Sequence, residues 1–309
     1  MDPSLLFFWK GICLVGGLMK HKKKGLYNPA EPWLFLAPFL IIYICFFLTP
    51  ALYSFLLSFM KYKGYGTMKF VGVGNYQKLI NYSVFWGSLT NTLFYLAVHT
   101  ILVAVVPFLL ALVIKSNAVK RKSLLRVGFF IPQITASVAS IMIWKLVLGT
   151  RTGVINSLLG TSIPFLEDPA LTKWSIVFVM SWRSIGWYMV IYFAGLSTVP
   201  DEVIEAAKID GASSFQQMMQ VVIPLMKPTF VFVFFNCCVT TFKVYNEPNL
   251  LIGSASSAAP VSVAPIMNQV TNNVRNGNFG VASAAGWLIF LFIFIITTVQ
   301  NRILKDKVD

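Results

Sequence analysis

Long apolar stretches recur along this chain, and a stretch of about twenty such residues crosses a bilayer as a helix. They run from Trp33 to Met60, Val84 to Ile114, Ser123 to Leu148, Leu171 to Gly195 and Leu225 to Tyr245, and a last one ends near Asn301. Only 12% of the 309 residues are charged, while 57% are apolar, so the chain reads as an all-α polytopic membrane protein of about six transmembrane helices. A net charge of +14 would point to nucleic acid in a soluble chain. Here the basic residues flank the spans and set their orientation, so lipid is the expected partner and nucleic acid is not. The densest basic loop, with Lys115, Lys120, Arg121, Lys122 and Arg126, belongs in the cytoplasm, and both termini fall on that side. Lys61, Lys63, Lys69 and Lys78 on the other side keep the bias modest.

Residues 1–32 stand apart from the spans. Leu5 to Met19 reaches about 22 Å, short of a hydrocarbon core of about 30 Å, and its lysines follow the apolar run instead of preceding it as in a signal peptide. This segment reads as interfacial or loose, on the cytoplasmic side. Pro38 and Pro50 predict bends in the first span. The segment from Gly149 to Ala170 is read as an external loop, as is a stretch of about 35 residues after Tyr245, long enough to be functional or disordered. Cys13, Cys45, Cys237 and Cys238 show no metal or disulfide spacing, and His21 and His99 are too few and too scattered for a metal site or a relay.

Among the spans lies one soluble-looking island, Leu196 to Pro228, carrying Asp201, Glu202, Glu205 and Asp210. Pro200 stands where a helix begins, and Asp201 and Glu202 meet the positive end of its dipole. Val203, Ala206 and Ala207 recur at helical spacing and give one small apolar face. Gly211 breaks the run, Ala212 to Val222 supports a second helix, and Pro224 and Pro228 close the element. The expectation is a helix-turn-helix elbow on the membrane face that offers a small-residue surface to another protein.

Glu205-Ala206-Ala207, three residues, Gly211, nine residues, then Val221-Val222-Ile223-Pro224 resembles the EAA loop of membrane subunits of binding-protein-dependent ABC importers. Valine and isoleucine replace the isoleucine and leucine of that pattern. Phe70-Val71-Gly72-Val73-Gly74-Asn75-Tyr76 resembles the element that follows the first span in the carbohydrate branch of the family, and Asn278 to Trp287 resembles the small-residue start of its last span. The resemblance, from Trp33 to the end, is to the maltose/glycerol-phosphate permease type, without room for a large external domain. It implies a transmembrane domain over 33–309 in the bacterial cytoplasmic membrane, with a cytoplasmic coupling loop over 196–228. It also implies a heterodimer with a second, homologous permease subunit, two ATPase subunits that bind ATP and Mg, and an extracytoplasmic sugar-binding protein. Glu205, Ala206, Ala207, Asp210, Gly211 and Pro224 are the ATPase-coupling residues that the resemblance implies.

No G-x-x-x-x-G-K-[ST], H-E-x-x-H or G-x-S-x-G motif occurs, so no catalytic residue, metal ligand or cofactor is assigned to this chain. A conduit is lined by polar groups inside spans, which are costly in lipid and turn toward the bundle or a water-filled cavity. Candidates are Gln133 and Ser137, four apart on one face of the third span; Arg183 and Ser184 in the fourth, with Trp182 and Trp187 to stack on a sugar ring; and Asn236, Thr240 and Thr241 in the fifth. The hydroxyl and amide groups equally suit bonding between packed spans. Arg183 needs a partner: Glu247, an acid of another subunit, or a carboxylate on the cargo. In the last case the cargo is a uronate-containing oligosaccharide and Lys243 an outer steering charge. A self-contained secondary transporter or channel is the alternative, but it predicts repeated halves and an intramembrane acid for ion coupling, and the spans contain essentially no carboxylates.

Overall fold

The structure is a computed structural model that describes residues 31–116, 119–253 and 259–305. The expectations for residues 1–30 lie outside the described residues. Contacts divide the chain into two units, one ending at Tyr53 and the other beginning at Ser54.

In the first unit, helix α1 (Glu31–Tyr43) passes through a single π turn, Ile44–Leu48, into α2 (Thr49–Ser58), whose residues from Ser54 on belong to the second unit. Pro50 has no N–H for the carbonyl four residues back, so the preceding turn widens. Thr49 takes up the slack, donating both its N–H and its Oγ1 (2.8 Å) to the Ile44 carbonyl. Phe39, Tyr43 and Phe47 stack one turn apart, with centroids 6.0 and 5.3 Å apart.

The second unit opens with a two-stranded antiparallel hairpin, β1 (Met60–Lys61) with β2 (Lys69–Phe70), and the short helix α3 (Gly74–Ile80). Asn75 ties this corner down, its amide donating to the carbonyls of Ser58 and Met60, both at 2.9 Å. Tyr76 adds a hydroxyl bond to Ser58 at 2.7 Å. There follow α4 (Ser83–Lys115), α5 (Lys122–Ile134), α6 (Ser137–Val147), the short α7 (Val154–Leu159) and α8 (Pro169–Ser197). Then come α9 (Asp201–Ile209), α10 (Ser214–Gln217), a second π turn, α11 (Ile223–Leu225) and α12 (Lys227–Phe242). Helices α13 (Asn246–Leu251), α14 (Met267–Arg275) and α15 (Phe279–Lys305) complete it.

Four helical stretches are long and apolar enough to cross a membrane, and the number rises to six if two bent pairs each count as one span. One bent pair corrects the expected third span. It breaks between Ile134 and Ser137, and its halves diverge by 94°. The backbone of Thr135 and Ala136, which leaves the helical region, makes the break. Gln133 and Ser137, expected on one helical face, therefore belong to two different helices. The other bent pair, with an angle of 67°, joins the segment Ser214–Leu225 to α12.

The expected long loop after the fifth span is also corrected, because much of it is folded onto α4. Ser88, Asn91, Thr92 and Tyr95 form a polar stripe at helical spacing, all of them buried. Asn91 donates to the carbonyls of Val261 and Ala264, both at 3.1 Å, and Tyr95 to that of Val263 at 2.6 Å. Thr92 Oγ1 accepts from the Ile266 N–H at 2.8 Å, and Gln269 reaches Ser88 at 3.1 Å. Span residues thus satisfy backbone groups that have no helix of their own.

Helices α5 and α8 meet backbone to backbone. A Cβ on Gly186 would collide with the Phe129 carbonyl, whereas one on Gly128 meets none of the described residues within 4 Å. Gly186→Ala is expected to cost about 1–3 kcal/mol by overpacking, read as a fall of several degrees in the thermal aggregation temperature in detergent. Gly128→Ala is expected to hold or slightly raise that temperature, alanine being the better helix former.

Candidate functional site

A cavity of about 440 Å³ opens among α4, α8, α12 and the start of α13, with Gln133 on its wall. Its polar lining consists of His99, Gln133, Arg183, Ser184, Tyr188, Asn236, Thr240, Lys243, Tyr245, Asn246 and Glu247, with Trp187 as an aromatic face. The Arg183 guanidinium donates through Nη1 to Glu247 Oε1 at 2.7 Å, with the two side chains 17% and 12% exposed. Of the partners considered for Arg183, the structure supplies Glu247. Arg183 Nε is buried without a hydrogen-bond partner among the described residues. Tyr188 donates its hydroxyl to Asn236 Oδ1 at 3.2 Å, and Thr240 bonds back to the Asn236 carbonyl at 2.9 Å. Lys243, at the end of α12, is exposed, and Arg275 donates to the Tyr245 hydroxyl at 2.8 Å.

Seven of the nine sequence candidates for the pathway lie on or against this cavity. Gln133, Arg183, Ser184, Trp187, Asn236 and Thr240 line it, and Thr241 is buried behind it on His99. Ser137 is not among the lining residues, because the 94° break carries α6 away from Gln133. Trp182 faces elsewhere, packing edge-on against Trp144 at 5.3 Å and lining a separate apolar pocket with Leu110, Phe129 and Pro132. Four consecutive positions of one helix cover its full circumference, so Trp182 and Trp187 could not both join Arg183 at one wall merely by being near it in sequence.

His99, Tyr188, Tyr245 and Asn246 were missed. The signal for His99 was available in the sequence: it lies one turn beyond Tyr95 on the stripe Ser88, Thr92, Tyr95, and a polar stripe at helical spacing in an apolar span marks an inward face.

The elbow forms a second candidate site. Pro200 precedes α9, whose first turn holds Asp201 and Glu202. Gly211 sits at φ +82°, and a Cβ there would meet none of the described residues within 4 Å. Ser213 then caps the next helix reciprocally with Gln216, at 3.3 and 2.8 Å. Val199, Val222 and Met226 are buried in the same core cluster as Tyr192 and Val233, which anchors the elbow to α8 and α12. Glu205, Ala206, Asp210, Gly211 and Pro224 are exposed and Ala207 is half-buried. Ile209 and Phe215, on either side of the turn, are 85% and 69% exposed.

Over residues 30–309 the chain matches the family described as binding-protein-dependent transport system inner membrane component. It belongs to that family. Curated relatives include the arabinooligosaccharides transport system permease protein AraP of Bacillus subtilis (strain 168), 29% identical over 279 residues, covering 89% of this chain and 88% of the relative. The lactose transport system permease protein LacF of Rhizobium radiobacter is 29% identical over 290 residues, covering 91% and 96%. In fold, this inner membrane component is similar to a chain from the crystal structure of a bacterial ABC transporter involved in the import of the acidic polysaccharide alginate. The TM-score is 0.76 at 19% identity, with 90% of this chain and 96% of that chain covered. The family is one of transport components, so the inner membrane component carries cargo across a membrane rather than transforming it.

Proposed function

We propose that the chain is the permease subunit of an ATP-driven sugar importer of the maltose/glycerol-phosphate permease type, forming half of the translocation pathway. Its cargo is an oligosaccharide that bears a carboxylate, such as a uronate. The relatives' names support sugar as the class: arabinooligosaccharides, starch degradation products and lactose. The observation that carries the pathway is the polar cavity among the spans, with amide, hydroxyl and indole groups on its wall. Arg183 and Lys243 on the lining stand with a single carboxylate, Glu247, and Arg183 Nε has no hydrogen-bond partner among the described residues. An acidic cargo uses that excess of positive charge, and a neutral one does not.

A second, homologous permease subunit completes the pathway, an extracytoplasmic binding protein delivers the sugar, and two ATPase subunits hold ATP and Mg. The elbow, over 196–228, lies in the cytoplasm and couples to the ATPase through Glu205, Ala206, Ala207, Asp210, Gly211 and Pro224. Closure of the ATPase pair on ATP draws the two elbows together. Val199, Val222 and Met226 pass the motion to α8 and α12, the helices that carry most of the cavity wall.

The test is uptake by the assembled importer in proteoliposomes, with loaded binding protein outside and ATP within. Arg183→Gln removes the excess positive charge, and uptake of a uronate oligosaccharide is expected to fall at least about tenfold more than that of its neutral counterpart, the loss of one charge-assisted contact. Equal loss of both would make the pair structural. Uptake by the chain alone, collapsed by an uncoupler and indifferent to ATPase partners, would overturn the importer reading.

A further inference from the structure

The stripe of α4 continues past the segment it holds to His99, the residue that α4 contributes to the cavity. His99 is 3% exposed, and both ring nitrogens are engaged. Nε2 stands 3.0 Å from Ser184 Oγ, and Nδ1 stands 3.0 Å from Thr241 Oγ1. The partners decide which nitrogen carries the proton. The single hydroxyl proton of Ser184 is directed at carbonyls of its own helix, Met180 at 3.0 Å and Ser181 at 3.2 Å. Its oxygen can then only accept from the ring, so Nε2 carries the proton and donates. Thr241 Oγ1 has no carbonyl acceptor among the described residues, and its proton goes to the bare Nδ1. Cys237 Sγ, 3.5 Å from Nδ1, adds a weak donor on the same side.

A serine oxygen has two lone pairs. One receives Nε2–H, and the other is left for the cavity, which Ser184 lines. We propose that His99 is a specificity-positioning residue. Donating through Nε2, it fixes Ser184 as an acceptor in the cavity wall, and the wall selects a sugar hydroxyl that donates at that point. This rests on the reading of the cavity as the cargo pathway. With the imidazole donor removed, the Ser184 hydroxyl is held only by the Met180 and Ser181 carbonyls, which also accept from N–H groups of their own helix, so its proton can turn into the cavity and donate, and an acceptor-only group at that point of the cargo becomes tolerable.

Two substitutions separate the nitrogens. Glutamine places an amide N–H near the position of Nε2, whereas asparagine reaches only as far as Nδ1. The probes are the sugar that most stimulates ATP hydrolysis by the assembled importer and its monodeoxyfluoro derivatives, in each of which one hydroxyl becomes a near-isosteric group that accepts but cannot donate. The wild type is expected to discriminate about five- to tenfold against one derivative, the worth of a single hydrogen bond. His99→Asn is expected to abolish that discrimination, and His99→Gln to restore it relative to His99→Asn. The chain has two histidines, so selective ¹⁵N-histidine labelling with His21→Gln for assignment reads the protonated nitrogen directly, and protonation at Nδ1 would overturn the proposal. So would equal discrimination by the two His99 variants while Asn236→Ala impairs uptake. If Asn236→Ala leaves uptake of every probe unchanged, it is the cavity reading that fails.

Discussion

Glu247→Gln alone is expected to lower the thermal stability of the chain in detergent by several degrees, and Arg183→Gln/Glu247→Gln to recover most of that loss. The pair is close and largely withdrawn from water, at 2.7 Å with 17% and 12% side-chain exposure. Removing one partner leaves the other charge uncompensated, which costs about 3 kcal/mol or more, discounted here because some solvent remains. A shift of about 2–4 °C for each kcal/mol follows for a chain of this size. The double variant has no buried charge left to strand. The quantity to extract is the coupling free energy from the four-member cycle. A cycle that closes near zero would mean that solvent already screens the pair, and it would remove the structural role of Glu247 at the cavity.

Gly211→Asp is expected to separate ATP hydrolysis from uptake. The assembled importer should still hydrolyse ATP while sugar uptake per ATP falls at least about tenfold, with the amount of chain in the membrane little changed. The site has room, since no described residue lies within 4 Å of a Cβ there, so the effect comes from backbone conformation together with the new negative charge on the face proposed to meet the ATPase. At φ +82° an L-residue is strained by about 1–2 kcal/mol, and relieving that strain re-aims α9 against the capped turn at Ser213. Gly211→Asn, better tolerated in left-handed geometry, should show a smaller defect. Uptake and hydrolysis falling in parallel for both variants would assign the turn to folding rather than to coupling.

Much of the fold was legible because the dominant signal, apolar length, is the quantity that a bilayer selects. The second and fourth spans, read as Val84 to Ile114 and Leu171 to Gly195, became α4 (Ser83–Lys115) and α8 (Pro169–Ser197). The break at Thr135–Ala136 was not legible, since hydropathy is blind to direction and Pro132 marks only a place where a helix can bend. That one bend is why Gln133 reaches the cavity and Ser137 does not. The folded segment after Tyr245 was hidden for another reason. Its hydrogen-bonding partners are on α4, far away in sequence, and nothing local in 259–266 announces them. Arg183 stood out as a charge that needed a partner, whereas His99 was set aside because it was judged by the number of histidines rather than by the helical face it shares.

The polar stripe on α4 also sets an order of events during synthesis. Its bonds to the later segment span sequence separations of 168 to 181 residues. At about 5–20 residues per second, the ribosome needs roughly ten to thirty seconds to make that much chain. For that interval Ser88, Asn91, Thr92 and Tyr95 have left the ribosome without the groups they will finally bind. A newborn second span must therefore be sheltered by the insertion machinery, or by neighbouring spans as they arrive, until the later segment is made and returns to it.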